Sequence, residues 1–209
     1  MNLSNPISSV IPGGYGVVLT ILARTDRPLT GRRVAELAAG QLGKSRVNEV
    51  LGELAQAGIV AAEDHPPAKL YTLNRSHVAA GAVVALTDLR GQLVVRIRAA
   101  LATWRPAPES AWLFGSAARG DGDAESDVDV LVVRPDAVDG DDRGWLFQLA
   151  DLAAGIHEWS GNDASVMEYT ARELDELAVS GERLVDEVRR DGVHLAGSSR
   201  LDWAGARHA

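Results

Sequence analysis

Apolar positions recur along the chain at two periods, and the switch between them divides it. From Tyr15 to Arg24, residues Val17, Val18, Ile21 and Leu22 fall at helical spacing. A second helix, capped by Thr30, carries Val34, Leu37 and Ala38. A third, capped by Ser45, lines one face with Val47, Val50, Leu51 and Leu54 and stops at Gly58, where a glycine beyond the last turn is the usual terminator. Two short β-like runs, 59–62 and 69–73, flank a turn containing Pro66 and Pro67. After a polar join at 74–81 the spacing predicts one long helix with Leu86, Leu89, Leu93, Ile97 and Leu101 on one side, ended by Pro106. Apolar runs at 111–114 and 128–133 read as two strands around a loop. A helix over 141–161 follows, then a strand at 164–169, helices at 171–179 and 181–190, and a closing run from Gly192 to Leu195. Trp145 and Trp159 fall where packing, rather than base stacking, is expected of them, and His77 has no second ligand beside it.

This pattern predicts four segments: a Gly/Pro-rich lead-in at 1–14, a small helical domain with a hairpin at 15–80, a mixed α/β domain at 81–196 and a flexible tail at 197–209. The charge agrees with a division into domains. The net charge is −8. The first 80 residues carry eight Lys/Arg against six Asp/Glu, whereas the rest carries thirteen against twenty-three. Phosphate contacts supply most non-specific nucleic-acid affinity, so only the N-terminal part is expected to meet DNA or RNA. There are no cysteines, which excludes disulfides and thiolate metal sites. No apolar run approaches the ~18 residues of a membrane span. The N-terminus lacks the basic start and apolar stretch of a signal peptide. A soluble, cytoplasmic protein without membrane contact is expected.

The chemistry concentrates between Ala111 and Val133. Gly115-Ser116 opens the loop, and Asp127-Val128-Asp129-Val130 closes it. Side chains alternate along a strand, so Asp127 and Asp129 share a face while Val128 and Val130 enter the core. Two carboxylates on one face repel each other. A divalent cation removes that cost, and magnesium commonly binds through one or two carboxylates plus substrate phosphates. Gly115 lets a phosphate approach the backbone, and Ser116 offers it an N–H and a hydroxyl. Two other phosphate or metal motifs fail. A calcium loop counted from Asp121 would need Gly and Glu where Ser126 and Val132 stand, and a P-loop ending at Gly43-Lys44-Ser45 has Ala38 in place of its first glycine.

Phe114-Gly115-Ser116, ten loop residues and Asp127-Val128-Asp129-Val130 together resemble the signature of the nucleotidyltransferase superfamily related to DNA polymerase beta. Arg119-Gly120 and Ser126-Asp127 resemble its small bacterial members. The resemblance implies an α+β fold, a small mixed sheet with flanking helices. It implies Mg2+- or Mn2+-dependent transfer of a nucleoside monophosphate from an NTP to an acceptor: RNA, protein or a small molecule. It makes Asp127 and Asp129 the metal ligands and assigns the nucleotide to Gly115, Ser116, Arg119 and Ser126. Arg119 has an equal claim to a surface ion pair with Asp121 or Asp123. Such small enzymes include members of toxin–antitoxin pairs, RNA-modifying enzymes and drug-modifying enzymes. The superfamily also supplies a third catalytic carboxylate from a later strand. Asp163 is the first candidate here and Glu168 the second, because the mid-strand position falls near Ser165.

Three short helices followed by a hairpin, with Thr30-Gly-Arg-Arg-Val-Ala-Glu-Leu and Ser45-Arg-Val-Asn-Glu-Val-Leu, resemble the winged helix-turn-helix of bacterial regulators. That resemblance implies a third helix entering the DNA major groove. The candidate contacts are Arg32, Arg33, Lys44, Arg46, Asn48 and Lys69. The competing expectation is a protein-interaction or homodimerisation module. The second reading of the whole chain is a DNA-binding regulator whose transferase domain senses nucleotide or is degenerate.

Overall fold

The structure, a computed structural model, describes residues 1–200. The chain divides into two compact units. One holds Ser4–Leu89 with Asn2, and the other runs from Arg90 onward with Met1 and Leu3.

In the first unit, a 3-10 turn (Pro6–Ser9) precedes helices α1 (Gly14–Ala23), α2 (Gly31–Leu37) and α3 (Lys44–Gln56). Strand β1 (Leu29–Thr30) pairs antiparallel with β3 (Ala68–Leu73), which pairs antiparallel with β2 (Val60–His65). Helix α4 (Ala80–Thr87) completes the unit. Val47, Val50, Leu51 and Leu54 of α3 are buried on one stripe against Val18 and Leu22 of α1 and Val34 of α2. Each such burial contributes about 1.5–3 kcal/mol. The Thr30 hydroxyl accepts a hydrogen bond from the Arg33 N–H at 3.1 Å, which caps α2. Helix α3 differs from expectation at its start. Gly43, not Ser45, is the N-cap, and no side chain caps it, because Ser45 already lies inside the first turn. The leading residues 1–14 contain ordered structure as well, with Ile7 fully buried in this core.

The long helix expected after the join is two helices. Helix α4 ends at Thr87 and α5 spans Leu89–Ala102. Asp88 between them leaves helical geometry, at φ −112° and ψ 23°. The apolar spacing runs on across that break, which is why the sequence hides it.

The second unit is a three-layer α/β sandwich. Its sheet has the order β6-β5-β4-β7, from strands Ala164–Thr170, Val128–Arg134, Ser110–Phe114 and Val193–Gly197 respectively. β4 is antiparallel to both β5 and β7, and β5 is parallel to β6. The parallel pair needs a crossover, which α7 (Arg143–Ser160) provides. Leu93, Ile97 and Leu101 of α5 and Trp145, Leu152 and Ile156 of α7 cover one face, packed on Val128, Val130 and Val132. On the other face, Leu174 of α8 (Ala171–Ser180) and Val185 and Val188 of α9 (Arg183–Asp191) cover Trp112, Phe114, Leu131 and Val133. A central strand covered on both sides reads as a continuous apolar run. Asp129 is the interruption in β5, on the face of Leu131 and Val133. Trp145 is fully buried and meets Trp104 edge-on at 5.3 Å, a packing role. β7 takes in Gly197, the first residue of the expected tail, and 201–209 of that tail lie outside the described residues. Among the described residues no helix is long and apolar enough to cross a membrane.

Candidate nucleotide and metal site

Strand β4 ends at Phe114, and the chain turns at once into a five-residue helix, α6 (Gly115–Arg119). The opening of the expected loop is therefore helical. So short an element leaves no periodic signal to read. Gly115 starts it at φ +66°, a left-handed conformation that suits glycine. Its missing side chain matters twice, because a Cβ there would lie 2.3 Å from the Asp129 carboxylate oxygen Oδ2. The glycine thus brings the backbone of the turn directly against the acid. In the antiparallel register Phe114 faces Asp129, which fixes that approach.

Asp129 is half-buried while Asp127 is exposed at the strand's mouth. Burial raises the Asp129 carboxyl above its ordinary value of 3.8; the charge of Asp127 and then that of Glu187 push it further up, and Arg119 opposes them. A carboxylate that is both desolvated and repelled is one that a bound cation would stabilise. The donors suit magnesium or manganese: two hard carboxylate oxygens, with room for phosphate oxygens to complete the shell.

Among the described residues a third carboxylate does not join the pair. Among the described residues there is no group of three or more acidic or histidine side chains placed to hold a metal. Asp163, expected to be catalytic, points instead to His157 on α7, with Oδ1 3.2 Å from Nδ1, and is largely exposed. It precedes the first residue of β6, so strand alternation does not govern it. Its backbone carbonyl accepts from the Val128 N–H at 2.8 Å, a purely structural contact. Glu168 lies on the opposite face, tied to Arg134. The residue in register with Asp129 on β6 is Ser165.

The remaining expected nucleotide residues have partners within the loop. The Ser126 hydroxyl donates to Asp123 Oδ1 at 2.9 Å and accepts from the Asp123 N–H at 2.9 Å, closing the turn that leads into Asp127. The bond from the Ser126 hydroxyl, and after it that from the Glu125 N–H, hold the Asp123 carboxyl below its usual range. Arg119 donates to Asp121 at 2.8 Å and reaches Asp191 at 3.7 Å. It takes the ion-pair role that the sequence weighed equally with phosphate binding. Ser116 packs beside Gly122, where a Cβ would lie 2.8 Å from its Oγ.

Two residues that sequence reasoning missed hold this loop in place. Buried Asn162 donates through Nδ2 to the carbonyls of Ala124 (3.3 Å) and Ser126 (2.9 Å), and Arg90 donates to carbonyls of α6. Neither has a local signature. A lone Asn beyond a helix-ending glycine, and an Arg on the first turn of a helix, acquire meaning only through tertiary contact.

In the first unit, Arg32, Lys44, Asn48 and Lys69 line one open concavity of about 510 Å³ with Tyr71 and Gly31. Arg33 pairs with Glu36 at 3.1 Å. Arg46 pairs with Glu49 at 2.7 Å and stacks over Tyr15 at 5.4 Å. Arg32 and Lys69 also have acidic neighbours, Glu36 at 3.0 Å and Asp64 at 3.5 Å. These exposed pairs are screened by water and worth little, which leaves the cations available.

Residues 94–179, from within α5 to within α8, match the protein-family model described as "Nucleotidyltransferase domain". No curated protein sequence matches the chain. Among solved structures, a toxin–antitoxin crystal structure with AMP-PNP is 20% identical, with a TM-score of 0.34, over 52% of this chain and 73% of that one. A toxin–antitoxin MntA–HpeT mutant is also 20% identical, with a TM-score of 0.36, over 51% of this chain and 74% of that one. At those scores the likeness adds nothing to the reading of the site.

Proposed function

We propose that the chain is a nucleotidyltransferase that takes a nucleoside monophosphate from an NTP and attaches it to an acceptor, using the Gly115–Ser116 turn and the Asp127–Asp129 pair. The observation that carries this reading is the contact between Gly115 and Asp129. The phosphate-accepting turn and the acid lie so close that a single methyl group would separate them, inside the span that matches the nucleotidyltransferase model. In the reaction an acceptor oxygen bonds to the α-phosphorus, the bond to the β-phosphate oxygen breaks, and pyrophosphate leaves with its electron pair. The acceptor's proton passes to solvent. Asp127 and Asp129 would hold Mg2+ or Mn2+, which supplies charge neutralisation on the phosphates and the leaving group. Gly115 and Ser116 present N–H groups and a hydroxyl to the triphosphate, a positive helix end facing negative charge. An NTP substrate with Mg2+ or Mn2+ suits a cytoplasmic setting.

The first unit fits a winged helix-turn-helix, with α3 as the recognition helix and β2–β3 as the wing. Arg32, Lys44, Asn48 and Lys69 would then serve DNA or RNA, with Arg33 and Arg46 held in intramolecular pairs until a phosphate or base competes for them. Ser165 favours a second reading. With no acid opposite Asp129, the domain would bind nucleotide without turning it over, and the chain would act as a nucleotide-sensing DNA-binding regulator. Incubation with NTPs labelled on the α-phosphate, Mg2+ and a cell lysate separates the two. Transfer of label to a macromolecule or small molecule supports the enzyme and identifies the acceptor class, a toxin–antitoxin partner protein among the possibilities. Binding of NTP without transfer supports the regulator.

A further inference from the structure

Helix α6 presents Gly115 and Ser116, yet it has only five residues. A helix that short does not support itself, because nucleation costs more than its few hydrogen bonds return. No side chain caps its N-terminal end. The opposite end is held firmly. Gly120, left-handed at φ +75°, donates its N–H to the Ser116 carbonyl at 2.8 Å. Arg90, partly buried on the first turn of α5, donates through Nη1 to the carbonyls of Ala117 at 3.2 Å and Ala118 at 2.9 Å. The same guanidinium lies so close to Gly120 that a Cβ there would sit 2.5 Å from Nη1.

We propose that Arg90 is a positioning residue of the nucleotide site, fixing the axis of α6 so that the Gly115 and Ser116 amides converge on the triphosphate; this rests on reading that turn as the phosphate cradle. Arg90 touches carbonyls at the end of α6 away from the cradle, so it acts through the helix and not on substrate. A cation also suits the negative end of a helix. The guanidinium suits the task better than an ammonium, because one planar group with several fixed donors can bridge two successive carbonyls while lying flat against a glycine. Gly120 belongs to the same device: lacking a side chain, it leaves the space the guanidinium occupies. Arg90 also stands before the span matched by the family model. The α5 residues that build the core, Leu93, Ile97 and Leu101, are separate from it, so removing its head group should loosen the turn without opening the core.

The test compares wild type with R90M, R90K, G120A and the R90M/G120A double variant. NTP affinity is measured by calorimetry with each of the four NTPs and Mg2+, beside thermal melting of each protein. R90M should weaken NTP binding about tenfold, because the loosened turn must be ordered again when the nucleotide binds, and should melt somewhat earlier, since two hydrogen bonds from a charged donor are lost. R90K should recover part of that loss. G120A should weaken binding because its methyl displaces Arg90, and the double variant should bind no worse than the weaker single variant, the mark of one shared device. Wild-type affinity in R90M, or additive losses in the double variant, would overturn the proposal. Should R90M fail to fold, R90K carries the same comparison, since G120A also bears the backbone cost of a non-glycine residue at φ +75°. If wild type binds no NTP at all, the nucleotide reading itself fails, a result distinguishable from failure of Arg90's role.

Discussion

Substituting Gly115 by alanine tests the site at its tightest point. The substitution incurs two separate costs. Holding a non-glycine residue at φ +66° costs roughly 1–2 kcal/mol. The new Cβ would also lie 2.3 Å from Asp129 Oδ2, far inside contact distance, so the carboxylate must rotate. Driving a side chain about 30° from its rotamer adds ~0.5–1.5 kcal/mol. The metal-free variant should therefore lose about 2–3 kcal/mol, which for a domain of this size is a fall in melting temperature of roughly 10 °C. Gly181→Ala provides the calibration within the same unit. That glycine also has positive φ, +74°, but nothing lies within 4 Å of its would-be Cβ, so only the backbone cost applies. The two variants should thus separate by the Asp129 displacement alone. Function should separate them more sharply. With Asp129 turned away, the affinity for Mg-NTP should fall at least tenfold, about 1.4 kcal/mol, in Gly115→Ala and remain unchanged in Gly181→Ala. Thermal melts and calorimetric titration measure both quantities. Equal destabilisation of the two variants together with unaltered NTP affinity in Gly115→Ala would refute the reasoning.

Asp129→Asn should stabilise the metal-free protein at neutral pH, since burial and then the charge of Asp127 raise the Asp129 carboxyl in the folded state. The folded protein holds that proton more tightly than the unfolded chain, so wild type loses stability relative to the variant as pH rises from the ordinary value of 3.8 through the raised one, and the two converge below 3.8. Parallel denaturation series across that window check the sign, and added Mg2+ should stabilise wild type alone. Ser165→Asp places a carboxylate in register with Asp129 and should tighten Mn2+ binding while destabilising the metal-free form; unaltered Mn2+ affinity by paramagnetic resonance would count against a vacant third-ligand position. Lys44→Ala should weaken binding to all DNA fragments alike and reduce the salt slope by about one. If wild type shifts no DNA fragment at low salt, the first unit is an interaction module instead.

Periodicity was legible wherever an element is long and has one buried face. The stripe Val47, Val50, Leu51 and Leu54 marks α3, and Gly58 marks its end because a left-handed residue there needs no neighbour to explain it. Strands β4 and β5 were legible from apolar runs bounded by Gly115 and by acid. Elements of a single turn were not legible, because the five residues of α6 cover little more than one helical period and leave no repeat to read. The break at Asp88 was hidden for the opposite reason, an apolar spacing that continues through it. Alternation put Glu168 on the opposite face, where the structure has it, but it also put Asp163 on the face of Ser165, whereas Asp163 lies outside the strand and answers to His157. Arg90 and Asn162 owe their roles to partners 27–38 residues away in the chain. No local reading reaches that far.

The most direct test of the central claim is Mg2+-dependent NTP binding by wild type and by the Asp127→Ala/Asp129→Ala double variant, with circular dichroism to show that both are folded. Both side chains stand at the mouth of the strand and outside the core clusters, so the double variant should fold. Wild type should bind NTP only when Mg2+ or Mn2+ is present, and the folded double variant should not bind it under any cation. Equal Mg-NTP affinity in the two proteins would contradict the assignment of Asp127 and Asp129 to metal and nucleotide.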